Sequence, residues 1–383
     1  MSRPDTQAGP WCGLARSSAV PMSTPPHAKP RTADPETSAD AAMLEAQKLA
    51  FAPIICQAAC EARDMGVLDV LFRAGAHGAT ADEVTAATGL RSYAASLLLE
   101  ASFAAGLCAY SERRFSITKM GVFWTKDRMT RVNAEFSSHV CYRSASRLGE
   151  SLRSGLPAGL RELGPWRTVY EGLAELPAAA KQAWFAFDHY YSAQASEACL
   201  ARVLEGGPRH LVDIGGNTGG FAERCLAASP STRVTIVDLP PQIGLAKAAL
   251  AKSAAARDRV TFAPVDLLAD GAALPPGADV YWMSQFLDCF SEPQIASILA
   301  RVREAMPPRG RVYVLETFWD KQRFDAARTC VIGTSLYFAC VANGNSRMYA
   351  CDDMRRLVRG AGLTVEREWH DVGVAHSLLE CRR

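Results

Sequence analysis

The sequence predicts an α/β chain: a mostly parallel sheet with helices on both faces, preceded by a smaller α-rich module. Three observations carry that prediction. From His210 onward, short apolar runs alternate with helical periodicity, as in strands buried on both faces and joined by crossover helices. One of those runs, residues 211–214, opens directly into a glycine-rich turn. Between residues 42 and 127 the spacing is helical and then becomes strand, turn, strand. A length of 383 residues accommodates about two or three such domains.

Composition narrows the function classes. Lys plus Arg total 42 against 40 Asp plus Glu, a formal charge of +2, which offers no electrostatic case for nucleic acid or an anionic membrane. At 49% hydrophobic and 21% charged residues the chain can build an ordinary core. No run approaches the ~18 apolar residues of a membrane span. Twelve cysteines are scattered from Cys12 to Cys381 without a CxxC pair, so neither a disulfide framework nor a metal site is expected. The first forty residues carry no apolar signal run. Reduced thiols in a cytoplasmic protein are the expectation.

Residues 1–42 are rich in Pro, Ser, Thr and Ala, with four basic residues opposing four acidic ones. A disordered tail is expected there, and Met22 is a second candidate start. Residues 43–130 read as one module. Residues 57–73 form a helix anchored by Val67, Leu68, Val70 and Leu71, broken at Gly75 and Gly78. Thr80 and Glu83 have capping-box spacing, and Gly89 stops the short helix that follows. Residues 92–103 form the next helix, ended by Gly106, and 107–110 with 115–118 form a hairpin. Helix–turn–helix plus hairpin is a winged helix. Its second helix offers Arg91 and then mainly Ala, Ser and Leu, which suits a protein interface better than DNA.

Residues 131–205 read as a helical connector. Its aromatics, Trp166, Tyr170, Trp184, Phe185, Phe187, Tyr190 and Tyr191, have the spacing of core residues more than of a ligand wall. Residues 206–383 form the α/β module. Strands are expected at 211–214, 234–237, 260–262, 280–283 and 311–315, with helices at 221–228, 243–256 and 295–305. Residues 364–369 and 377–381 supply antiparallel edge strands.

The turn Asp213-Ile214-Gly215-Gly216-Asn217-Thr218-Gly219 lets backbone approach a ligand closely. Asn217 breaks the dinucleotide fingerprint, and no Gly-Lys-Ser/Thr ending makes it a phosphate loop. Asp238, 19 residues after Gly219 at the end of the second strand, has the position of a ribose acceptor. Asp266 follows the third strand, within reach of an adenine edge. Each Asp alone reads better as a cap or turn residue; together they mark a nucleoside site.

These residues, with Val237-Asp238-Leu239-Pro240, resemble the class I S-adenosylmethionine-dependent methyltransferases. Together with the winged helix, the chain resembles the plant-type O-methyltransferase family over residues 45–383. The resemblance implies a Rossmann-like catalytic domain, a homodimer through the N-terminal module, and a small aromatic or polyketide-like acceptor. It implies S-adenosyl-L-methionine held by Asp213, Gly215, Gly216, Gly219, Asp238, Leu239, Asp266, Leu267, Met283 and Ser284, and a connector that lines the acceptor pocket.

The departures bear on the reaction. Family members carry Lys-Trp-x-x-His-Asp after the fourth strand, the His being the general base. Here Ser284 replaces the Lys and Asp288 replaces the His. Glu316 retains an expected acid, and Ser346 stands where a second is expected. Asp is a weak base unless burial raises it; Asp288 otherwise orients an acceptor hydroxyl or cation, or caps the helix after Ser291. His189 and His376 are the rival bases, and 343–347 is a turn at the pocket rim. O-methylation is favoured, with ring-carbon methylation open. The alternative function is a cofactor-binding partner or regulator without transfer activity.

Overall fold

The computed structural model describes residues 38–383. The tail expected over residues 1–42 therefore lies outside the described residues up to 37. Residues 39–42 are already the first turn of helix α1 (Ala39–Asp64), where the Ser38 hydroxyl accepts the Ala41 N–H at 3.2 Å. The helix expected over 57–73 is two helices. Gly66, at φ +80°, ends α1 and lets α2 (Val67–Ala74) turn Val67, Leu68, Val70 and Leu71 inward.

Helix α3 (Ala81–Thr88) begins with the capping box of Thr80 and Glu83 and ends on left-handed Gly89. It is followed by α4 (Ser92–Ala104) and the hairpin β1 (Cys108–Ser111) with β2 (Arg114–Ile117). Leu68, Leu71, Val84 and Leu99 close one small core beneath them. Seven of the next helices in order are α5 (Lys119–Lys126), α6 (Arg128–Phe136), α7 (Tyr142–Ala145), α8 (Leu148–Ser154), α9 (Val169–Gly172), α10 (Ala178–Val203) and, past the first sheet strand, α11 (Gly220–Ala228). The boundary expected at residue 130 falls inside α6.

The large sheet comprises β3 (His210–Ile214), β4 (Arg233–Asp238), β5 (Val260–Pro264), β6 (Val280–Ser284), β7 (Arg311–Glu316), β8 (Thr364–Val372) and β9 (His376–Arg382). Its order is β5-β4-β3-β6-β7-β9-β8. The first five are parallel; β9 inserts antiparallel between β7 and β8. Helices α12 (Pro240–Leu250), α13 (Glu292–Ala305), α14 (Asp325–Tyr337) and α15 (Cys351–Gly360) complete the module.

Period-two alternation sorts the strand residues to two faces. Val212, Ile214, Tyr281, Met283, Val312 and Val314 pack under α13 and α15. Leu211, Val234, Ile236, Val280, Trp282 and Tyr313 pack under α10, α11 and α12. Both faces are covered by helices, which is why these strands read as unbroken apolar runs. The helix expected over 243–256 starts earlier, since Pro240 and Pro241 suit a first turn, and it stops at Leu250. Among the described residues no helix is long and apolar enough to cross a membrane, and the eleven described cysteines are free thiols.

Candidate functional site

A cavity of about 1410 Å³ opens at the C-terminal ends of β3, β4 and β6 and continues under α10, the place where an open α/β sheet holds ligands. One half is built by the glycine turn. Gly215 has φ +74°, and a side-chain carbon there would stand 2.3 Å from the Phe286 ring. At Gly216 the same atom would meet Ile236 at 2.8 Å and Asp213 Oδ2 at 3.0 Å. Asn217, also left-handed at φ +48°, donates its backbone N–H to Asp238 Oδ2 at 2.9 Å; the Leu239 N–H reaches Oδ1 at 2.7 Å. Asp238 is thus clamped across the mouth of the turn. Burial pushes its carboxyl up against the pull of those two N–H groups.

Asp213 sits beneath the turn, buried, with Oδ2 unpartnered. Burial first, and then the charge of Asp238, push it up to about 7. Asp266 lines the cavity beyond β5 and accepts the Leu268 N–H at 2.9 Å. Leu239, Leu267 and Ser284 also line it.

Two expected ligand contacts fall elsewhere. Gly219 does not line the cavity; at φ +82° it caps α11, and a side chain there would strike Leu250 at 2.7 Å. Met283 points to the opposite face of the sheet, into the core with Val314 and Leu379. Its neighbour Trp282 lines the cavity instead, stacked on Phe221 at 4.1 Å with its indole N–H unpartnered. Strand alternation was the signal that distinguished the two.

The other half is aromatic. Trp166, Tyr170, Trp184 and Phe187, which also pack against the core around Leu160 and Val341, line it together with Tyr191. Phe185 and Tyr190 do not. Trp184 Nε1 donates to the Tyr337 hydroxyl at 2.7 Å, and Phe187 stacks on Phe136 at 4.2 Å. Asn343 and Asn345 form the expected rim. Asn343 Nδ2 donates to the Cys289 carbonyl at 2.6 Å, and its Oδ1 accepts the backbone N–H of Asn345 and Ser346.

Between the halves stands Asp288, buried and lining the cavity. It lies in a short turn; the helix cap is Ser291, in a capping box with Gln294. Burial pushes Asp288 up to about 6, the charge of Asp188 adds to the effect, and the Cys289 thiol, which donates to Oδ1 at 3.4 Å, opposes it. Glu316 is not itself in the wall. It is buried behind Asp288, with Oε1 accepting the N–H groups of Phe286 at 3.1 Å and Leu287 at 2.8 Å. Its carboxyl is held well above the usual range by burial and then by the charge of Asp288.

His189 lines the cavity from an exposed position on α10. Asp188 beside it, which the sequence did not single out, is pushed up to about 6 by burial against the opposing charge of His189. Its signal was an acid set between two aromatics on a helix. His376 is fully buried, outside the cavity wall, and bonded to Gln285 at 3.0 Å. Burial pushes it down to about 4, so it is not a base toward any ligand.

Comparison with known proteins agrees with this geometry. Residues 192–364 match the O-methyltransferase domain family, and residues 43–115 match the Dimerisation2-like domain family. The L-tyrosine C(3)-methyltransferase of Streptomyces lavendulae is 26% identical over 294 residues, covering 76% of this chain and 78% of its own length. The 3-amino-4-hydroxybenzoate 4-O-methyltransferase of Streptomyces cremeus is 30% identical over 161 residues, 42% of either chain. The solved structure of the mitomycin 7-O-methyltransferase MmcR shares the fold, with a TM-score of 0.66 and 23% identity over 90% of this chain and 98% of that one. A Dimerisation2-like domain followed by an O-methyltransferase domain, on this sheet and with this glycine turn, is the make-up of an S-adenosylmethionine-dependent methyltransferase.

Proposed function

We propose that this methyltransferase transfers the methyl group of S-adenosyl-L-methionine to a small aromatic acceptor, with a phenolic oxygen as the favoured nucleophile and an activated ring carbon as the alternative. The observation that carries the reading is one continuous cavity joining the glycine turn and Asp238 to an aromatic wall, with Asp288 between them. An enzyme explains that continuity; a cofactor-binding partner without transfer activity has no need of the second half.

The residues present suit the cofactor. Asp213 Oδ2 is a buried acceptor without a donor, which the ammonium of the methionine moiety would supply. Asp238 retains lone pairs beyond its two backbone bonds, enough for two ribose hydroxyls. Asp266 has its second oxygen for an adenine amine. Gly215, Gly216, Leu239, Leu267 and Ser284 shape the wall around these three acids. When bound, the cofactor supplies an electrophilic methyl group open to in-line displacement.

The chain's own residues then do the rest. The aromatic wall excludes water and holds the acceptor ring. Asp288, half ionised near pH 6 and mostly ionised above, takes the acceptor proton. Glu316 holds the Phe286–Asp288 turn in place. The N-terminal module serves a homodimer: Leu44, Leu49, Phe51 and Ile54 on α1, and Leu97 and Phe103 on α4, are all exposed and need a covering partner. Free thiols support a reducing, cytoplasmic setting.

Incubation with methyl-labelled cofactor and a panel of phenols, with products mapped by mass spectrometry, tests the reading. Label recovered on an aromatic product is expected; cofactor binding without transfer to any phenol or ring carbon contradicts it.

A further inference from the structure

Gln285, like Asn217, is a cavity-wall residue with a left-handed backbone. It follows the last residue of β6 and adopts φ +49°, a region rare for residues other than glycine. Its backbone N–H is fixed by the Leu315 carbonyl at 2.8 Å. Its side chain crosses the end of β7 to reach β9, where Oε1 lies 3.0 Å from His376 Nε2. The next residue turns the other way: the Phe286 ring closes against Gly215. Gln285 therefore belongs to the half of the cavity away from the glycine turn.

His376 determines which end of that amide faces the cavity. The ring is fully buried, and among the described residues Nδ1 has no partner. A proton on Nδ1 would be a buried donor without an acceptor, a rare and costly state, whereas a bare lone pair costs less. The ring is neutral near pH 7, since burial pushes it down to about 4. Its one proton is thus on Nε2, pointing at Gln285 Oε1. The segment carrying His376 is itself pinned. Gln322 Nε2 donates to the Ala375 carbonyl at 2.8 Å, and a side chain at Gly373 would strike the Ala195 backbone at 2.9 Å. With Oε1 occupied, the Gln285 NH2 group has no partner among the described residues, on a side chain of the cavity lining.

We infer that Gln285 is a specificity-determining donor, whose NH2 group binds an oxygen of the methyl acceptor, and that His376 is the positioning residue that fixes its orientation. The inference rests on the methyltransferase reading of the cavity and names the chemistry of its acceptor: an oxygen with free lone pairs, as in a phenolate, carbonyl or carboxylate. The cofactor's own carboxylate is the other source of such an oxygen. The direction of the side chain, toward β9 and away from the glycine turn, selects the acceptor.

The test uses full-length protein loaded with S-adenosylhomocysteine and two fluorescent probes, 2-naphthol and naphthalene, which differ by one oxygen. Wild type should bind 2-naphthol the more tightly. Gln285→Leu should weaken 2-naphthol by roughly five- to tenfold, with naphthalene and S-adenosylhomocysteine unchanged. Gln285→Glu, which still accepts the His376 proton but presents oxygen to the ligand, should lose at least as much. His376→Leu should lose part of the preference and His376→Gln, which restores a donor, should recover it. Nitrogen-15 resonances of His376 should report the neutral Nε2–H form near pH 7. An unchanged 2-naphthol preference in both Gln285 variants overturns the inference. So does failure of 2-naphthol to bind the loaded wild type, or a loss confined to S-adenosylhomocysteine. Wild type that does not bind S-adenosylhomocysteine counts instead against the cofactor reading.

Discussion

Glu316 Oε1 accepts the Leu287 N–H at 2.8 Å, and that bond fixes the residue immediately before Asp288. The end of β7 thereby sets the position of a carboxyl presented from the end of β6. The pair divides the work: Asp288 faces the cavity, and Glu316 holds the turn from behind.

Removing the charge should separate these roles. Asp288→Asn should abolish turnover, a loss of at least about 100-fold, and leave cofactor affinity nearly unchanged. Glu316→Gln keeps the shape of the acceptor and should lower kcat less. Steady-state kinetics beside calorimetry reads both. Near-wild-type turnover in the two variants would eliminate Asp288 as the base.

The pH profile supplies an independent check. Asp288 is protonated below its raised value of about 6 and ionised above it, so kcat/KM should rise with pH through that region. The facing carboxyls of Asp188 and Glu316 titrate with it, and the limb belongs to the group. If His189 were the base, His189→Gln would flatten this limb and Asp288→Asn would leave it in place.

Asp213 ties the cofactor site to stability. Its folded-state value of about 7 exceeds the ordinary 3.8, so the folded chain holds a proton that the unfolded chain has released. The stability it contributes is full below pH ~4 and is lost as pH rises through about 7. Without cofactor, Asp213→Asn should therefore raise Tm at pH 8 by roughly 3–6 °C, with the gain vanishing toward pH 4. Scanning calorimetry at the two pH values measures it; an equal shift at both would contradict a buried carboxyl raised to about 7.

The exposed apolar stripe of α1 makes an assembly prediction. Wild type should be a dimer by light scattering at micromolar concentration, and Leu49→Asp with Ile54→Asp should yield a folded monomer. A monomeric wild type would contradict the proposed homodimer.

Much of this was legible in the sequence for physical reasons. Strands buried on both faces are apolar throughout, so β3, β4, β6 and β7 announced themselves, and the glycine turn and Asp238 marked one half of the cavity. The other half was obscured because the same aromatics suit a core or a wall. Trp184 and Phe187 look alike in sequence whether water or protein lies beyond them. Met283 and Trp282 are adjacent in β6, and strand alternation puts Met283 in the core and Trp282 at the cavity. Helix α14 went unseen because Thr329, Val331, Ile332 and Gly333 are weak helix formers, and its packing through Val331 and Tyr337 decides. Helix α15 had its signal in Met354, Leu357 and Val358. The partnership of Gln285 with His376 spans 91 positions, a distance across which no local pattern carries information.

The central claim is that the glycine turn and Asp238 hold S-adenosylmethionine. Calorimetric titration of the cofactor into wild type and Asp238→Ala tests it most directly. Two hydrogen bonds to a carboxylate contribute about 1.5–3 kcal/mol each, so binding in wild type and at least a tenfold weaker affinity in a folded Asp238→Ala variant are predicted. Equal affinity in the two proteins would contradict the assignment.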